Sequence, residues 1–144
     1  TADFDWEAGL VDTVHKDGQS RLALQPGVLD PAAIGLSLRA GLGAGQREWT
    51  LSIVDEDEIE TQVYRAMGEE PLQTPIGCLV AERVDRIRGP QSTRYTRTWY
   101  ARDLGWVPVQ VAHGKTDGDR METRLLSLTL DGEAVTDRGA CPEN

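Results

Sequence analysis

Lysine, histidine and cysteine each occur only twice in these 144 residues, and phenylalanine once. The two cysteines, Cys78 and Cys141, have no C-x-x-C spacing, which removes zinc-ribbon and thioredoxin-like readings. They suffice for one disulfide in an oxidising compartment or for two free thiols, and the sequence leaves both open. His15 and His113 are the only side chains whose ordinary pKa lies near neutrality. No G-x-S-x-G, S-x-x-K or H-E-x-x-H pattern surrounds either, and each precedes a turn signal, so both read as surface residues. Base, nucleophile and electrostatic stabiliser cannot be assembled from this inventory, so the chain reads as a non-enzyme with no catalytic residue, no cofactor and no metal site. No apolar run approaches the length of a membrane-spanning helix.

The charge is lopsided in the other direction. Twenty-four acidic residues against fifteen basic give a net charge of −9, which excludes sequence-independent binding to nucleic acid and disfavours an anionic membrane surface. One basic stretch runs against this: Arg83, Arg86, Arg88, Arg94, Arg97 and Arg102 stand near only Glu82 and Asp85. These guanidiniums are expected to line a solvated strand face and pair with the acidic remainder rather than form a dedicated anion site. Asp55-Glu56-Asp57-Glu58 lacks the glycine and spacing of a calcium loop and reads as a hairpin tip.

Hydrophobic residues at 39% and charged residues at 27% mark a globular chain. Its length suits one domain, 1–136, with 137–144 as a disordered tail. Period-2 alternation broken by turn residues dominates, the pattern of antiparallel β structure. Phe4, Trp6, Ala8 and Leu10 predict one strand, and Asp17-Gly18 a two-residue hairpin turn. Residues 29–40 predict the single helix, capped by Asp30, opened by Pro31 and stopped by Gly41, Gly43 and Gly45. Strands follow from Glu48 onward. Gly68-Glu69-Glu70-Pro71 and Thr74-Pro75-Ile76-Gly77 read as breaks, and Leu126, Leu128 and Leu130 as one face of the last strand. The fold class is mainly β: a curved, mostly antiparallel sheet, rolled or half-open and barrel-like, with one short helix packed on it.

Four stretches, "DFDWEAG" (3–9), "LDPAAIGLSLR" (29–39), "VYRAMGEEPLQTPIGCLVAERV" (63–84) and "RTWYARDLGWVPVQV" (97–111), together resemble an exported bacterial family catalogued as domain of unknown function 3108. The resemblance covers residues 3–130. It implies a leader-bearing protein of the periplasm or envelope, with further strands ahead of the Asp-Trp segment, and a fold similar to the half-open rolls of lipoprotein carriers. It implies no activity.

Aromatics on predicted strands remain. Trp99 shares a face with Tyr95, Arg97 and Ala101, Tyr100 points the other way, and Trp106 falls in phase with Pro108 and Gln110, opposite Val107, Val109 and Val111. Arg102-Asp103-Leu104-Gly105 reads as a tight turn with Gly105 taking any positive-φ position, and Pro108 suggests an edge or a bulge. Trp6, Trp49, Tyr64, Trp99, Tyr100 and Trp106 are the candidate ligand-binding residues of a non-catalytic module for an apolar or amphipathic small molecule or lipid. The alternative is a structural module of the envelope that meets a protein partner.

Overall fold

The computed structural model describes residues 2–5, 10–15, 18–23, 28–55, 58–135 and 138–142. Strands β1 (Ala2–Asp5), β2 (Leu10–His15) and β3 (Gly18–Ala23) form an antiparallel three-stranded sheet. Asp5 pairs with Leu10, so the run from Phe4 to Leu10 is two strands rather than the one predicted from its alternation. Alternation reports which residues share a face and is silent on where the chain reverses. Trp6 and Ala8 lie outside the described residues. At the next reversal His15 pairs with Gly18. Gly18 therefore opens β3 instead of sitting in the turn; residues 16–17 lie outside the described residues.

The second sheet is larger, curved and not closed. Its strands are β4 (Val28–Leu29), β5 (Glu48–Asp55), β6 (Glu58–Thr74), β7 (Gly77–Ile87), β8 (Arg94–Ala101), β9 (Val107–Lys115) and β10 (Arg120–Arg124), ordered β10-β9-β8-β7-β6-β5-β4. All neighbours are antiparallel except β4 and β5. A mostly antiparallel curved sheet with one helix is thus the observed architecture.

β6 runs for 17 residues straight through the predicted break. Its pairing with β5 covers Glu58 to Arg65 and ends with the Ala66 N–H donating to the Arg47 carbonyl at 2.9 Å, so beyond Ala66 only β7 is paired with it. Pro71 therefore has no second ladder to interrupt, which is the position where a strand tolerates proline. The register shifts between Ala66 and Gly68, where Gly68 takes φ +127°. This bulge absorbs what the sequence suggests is a chain break. Thr74 pairs with Gly77 across the true turn, and the Thr74 hydroxyl donates to the Gly77 carbonyl at 2.8 Å.

The helix begins as expected. Asp30 Oδ1 accepts the Ala33 amide at 2.9 Å, ahead of a single 3-10 turn, Pro31–Ala33, that leads into α1 (Ile34–Gly43). It ends later than expected, because Gly41 and Gly43 are inside it and only Gly45, at φ +84°, stands beyond. Gly41 is there for contact. A β-carbon would overlap the Trp49 indole and lie 2.6 Å from the Gln46 side-chain oxygen, whereas Gly35 faces open space. Gly35→Ala should therefore raise stability by roughly 0.5–1 kcal/mol through helix propensity. Gly41→Ala should lower it by about 1–2 kcal/mol despite the same propensity gain. Urea denaturation of the two variants checks both signs.

Two core clusters lie on opposite faces of the large sheet. Leu38 and Leu42 of α1 pack on Trp49, Tyr64, Ala66, Val84 and Tyr100, with Ile34, Leu51 and Trp106 against them. Ile76, Leu79, Ala81, Trp99, Ala101, Leu104 and Val109 form the other cluster, covered by Leu125, Leu128, Leu130 and Val135. After β10 the chain is irregular until the two-residue strands β11 (Thr129–Leu130) and β12 (Glu133–Ala134). That irregularity separates the predicted leucine stripe: Leu128 and Leu130 pack inward, while Leu126 is 79% exposed. β10, at the end of the sheet order, has all five side chains exposed.

Residues 138–142, read from sequence as part of a frayed tail, run beside the β6–β7 turn. Arg138 N–H donates to the Ile76 carbonyl at 3.0 Å, Cys78 N–H to the Gly139 carbonyl at 2.8 Å, and Cys141 N–H to Gln73 Oε1 at 2.7 Å. Cys78 and Cys141 form a disulfide, which answers the question the sequence left open. No helix among the described residues is long and apolar enough to cross a membrane.

Candidate functional site

Strand periodicity decides where the predicted site residues go. Trp49 and Tyr64 are directly opposite on β5 and β6. They join Tyr100 under α1, all three less than 10% exposed, with Trp106 half-buried at the cluster margin. Trp99, one residue from Tyr100, belongs to the opposite face, where its indole N–H donates to Glu70 Oε1. The structure therefore brings Trp49, Tyr64, Tyr100 and Trp106 together as core, and places Trp99 on the far side of the sheet.

The tight turn Arg102–Leu104 ends with Gly105 at φ 66°, the positive-φ role the sequence predicted, and Trp106 follows at φ 62°. Trp106 is thus outside β9, yet it packs against the Tyr100 cluster, on the face of Pro108 and opposite Val107 and Val109 as predicted. A register shift between Trp99 and Tyr100 then places Trp99 opposite Gln110 and Tyr100 opposite Pro108. This bulge, which Pro108 signals, splits the predicted aliphatic face: Val107 and Val109 pack in the Trp99 cluster, while Val111 lies opposite Thr98.

Away from α1 the same sheet face turns polar. Along β6 the alternate residues Tyr64, Gln62 and Glu60 form a chain: the Tyr64 hydroxyl donates to Gln62 Oε1 at 2.7 Å and Gln62 Nε2 to Glu60 Oε1 at 2.5 Å. Arg86, opposite Tyr64, reaches Glu60 Oε1 at 3.4 Å. Burial raises the Tyr64 pKa, and the charges of Arg86 and Arg88 oppose that only in part. Burial likewise lifts Tyr100 to about 12, with Tyr64 adding to the rise.

For these phenols the folded state binds its proton more tightly than the unfolded chain, whose tyrosines titrate near 10. The stabilisation is complete below about pH 10 and is lost as pH climbs toward 12. Unfolding free energy should fall by about 1.4 kcal/mol from Tyr100 alone between pH 9 and about pH 11. Chemical denaturation at the two pH values checks this, and Tyr100→Phe should flatten the decline.

Beyond the polar chain, where β7 ends, β8 begins and the β9–β10 turn closes the edge, lies a cavity of about 520 Å³. Arg88, Arg94, Thr96, His113 and Lys115 line it, with Asp117 and Asp119 from the turn. Arg94 stands opposite Lys115, and Thr96 opposite His113. Arg88 donates to the Thr96 hydroxyl at 3.1 Å. Burial lowers the Arg88 pKa, followed by repulsion from Arg86. His113, expected before a turn, is instead a strand residue, exposed and in the cavity wall. His15 ends β2.

The arginine stretch divides in two. Arg83 meets Asp85 at 3.0 Å, Arg86 meets Glu60 at 3.4 Å, Arg97 meets Asp85 at 3.9 Å and Arg102 meets Glu69 at 2.7 Å. That is the surface pairing expected for the whole set. Arg88 and Arg94 have no carboxylate within 4 Å among the described residues, and both line the cavity. Sequence reasoning missed this site because most of these partners are brought by register rather than by neighbourhood: Glu60 is 26 positions from Arg86.

These features define a mainly β protein built on an open, curved antiparallel sheet, half of one face sealed by a helix and the far end left cationic. The chain belongs to the family described as Protein of unknown function (DUF3108), whose family model matches residues 1–123. Neither a curated protein nor a solved structure matches it.

Proposed function

We propose that this chain is a non-catalytic binding module of the periplasm or cell envelope, and that its ligand occupies the cationic end of the large sheet. The observation that carries this reading is the division of one sheet face. α1 packs over Trp49, Tyr64, Val84 and Tyr100, whereas the end bearing Arg88, Arg94 and Lys115 is a cavity of about 520 Å³, within the size range of small-molecule sites. An apolar ligand on the predicted aromatic set would compete with the protein's own core for Trp49, Tyr64, Trp99 and Tyr100, so a ligand with a charged group fits better. A disulfide is what an oxidising compartment permits, and the Cys78–Cys141 bond supports the exported reading.

Native mass spectrometry of protein recovered from a periplasmic extract without detergent tests it. A mass above that of the chain, released on denaturation, is expected. A bare chain from every preparation would count against the module reading.

A further inference from the structure

We propose that the cavity holds the phosphate group of a small hydroxylated molecule, with Arg88, Arg94 and Lys115 on the phosphate and Asp117 and Asp119 on its hydroxyls. This rests on the binding-module reading and adds the class of ligand.

Charge makes the first argument. Acidic residues outnumber basic ones by 24 to 15, and four of the six arginines between 83 and 102 have found a carboxylate. Like Arg39 and Arg120, Arg88, Arg94 and Lys115 have no ion-pair partner among the described residues; unlike those two, they converge on one cavity. Arg94 and Lys115 are moreover opposite one another across the β8–β9 ladder, an arrangement that costs like-charge repulsion unless an anion sits between them. Burial and the neighbouring Arg86 charge both disfavour the charged form of Arg88, as expected for a guanidinium whose counter-charge comes from outside the chain.

The kind of anion follows from the donors. One arginine suffices to hold a carboxylate in a two-pronged pair. Two guanidinium forks and an ammonium offer more donors and charge than a carboxylate takes up, and match a dianionic group with three acceptor oxygens. Asp117 and Asp119 set the remainder of the ligand. Carboxylate oxygens accept hydrogen bonds, so at the turn these two side chains suit hydroxyl donors.

Isothermal titration calorimetry with glucose 6-phosphate, inorganic phosphate and glucose as probes tests the inference. Glucose 6-phosphate should bind at least tenfold more tightly than inorganic phosphate, and glucose should give no heat. Arg94→Glu and Lys115→Glu, at exposed side chains, should each weaken glucose 6-phosphate at least tenfold. Arg124→Glu, also exposed but paired with Glu122, should leave it unchanged. Equal loss in all three variants would mean only general charge attraction and would overturn the site. Binding to phosphatidylglycerol vesicles without binding to glucose 6-phosphate would overturn the small-molecule ligand. Silence with every probe, while Arg94→Glu still carries a copurifying ligand, would remove the phosphate inference and leave the module reading intact. A chain that carries no ligand and binds no probe removes both.

Discussion

Replacing Cys78 and Cys141 together by serine is expected to lower stability by about 4 kcal/mol, the chain-entropy value for a loop of this size, given a bond that spans 63 residues. For a chain of this length the melting temperature should drop by roughly 10 °C. The bond closes the chain from β7 to beyond β12 into one loop, so its loss lets the unfolded chain sample far more conformations. The native state loses something local as well. Residues 138–142 are tied to the β6–β7 turn by three backbone amide donors. Hydrogen exchange in dithiothreitol should therefore speed up first at Arg138 and Cys78, while the β7–β8 ladder keeps its protection. Thermal unfolding at equal concentration of oxidised and reduced protein gives the magnitude. A change below about 1 kcal/mol would show that the bond constrains little.

The second large effect concerns one carboxylate. Glu82 is fully buried opposite Tyr100, and its ion-pair partner is Arg47, whose side chain is 58% exposed. Arg47→Ala leaves that charge in the interior with nothing to offset it. Removing one partner of a buried pair costs about 3–5 kcal/mol, and the exposure of Arg47 puts the expected loss near about 3 kcal/mol. Glu82→Met in the Arg47→Ala background should recover most of it, because an apolar side chain of similar volume has no charge to strand. A double-mutant cycle by urea denaturation separates the pair from packing around it. Equal losses in the single and double variants would mean that Arg47 acts through its stem alone.

The local devices were legible in the sequence, and the long-range ones were not. Asp30 caps the helix through its own side chain three residues on, and Gly105 takes the positive φ that a tight turn demands. Both are decided within a few residues. Pro71 misled because its tolerance depends on β5 pairing no farther than Arg65, a fact written elsewhere in the chain. The aromatics misled for a different reason: alternation places Trp99 and Tyr100 on opposite faces but is the same for a core face and a ligand face. Only the packing of Leu38 and Leu42 tells them apart. The cationic cavity was hidden in a basic stretch whose members differ only in which acids the register brings to them.

The outermost strand of the large sheet has a consequence for the protein at high concentration. β10 reads Arg120-Met121-Glu122-Thr123-Arg124, with every side chain exposed. Two copies stacking antiparallel about their midpoints would set Arg120 against Arg124 and Glu122 against Glu122, and like charges directly opposite destabilise a pair. The edge thus discourages its own polymerisation, so Glu122→Thr is the kind of change that would invite fibrous aggregation.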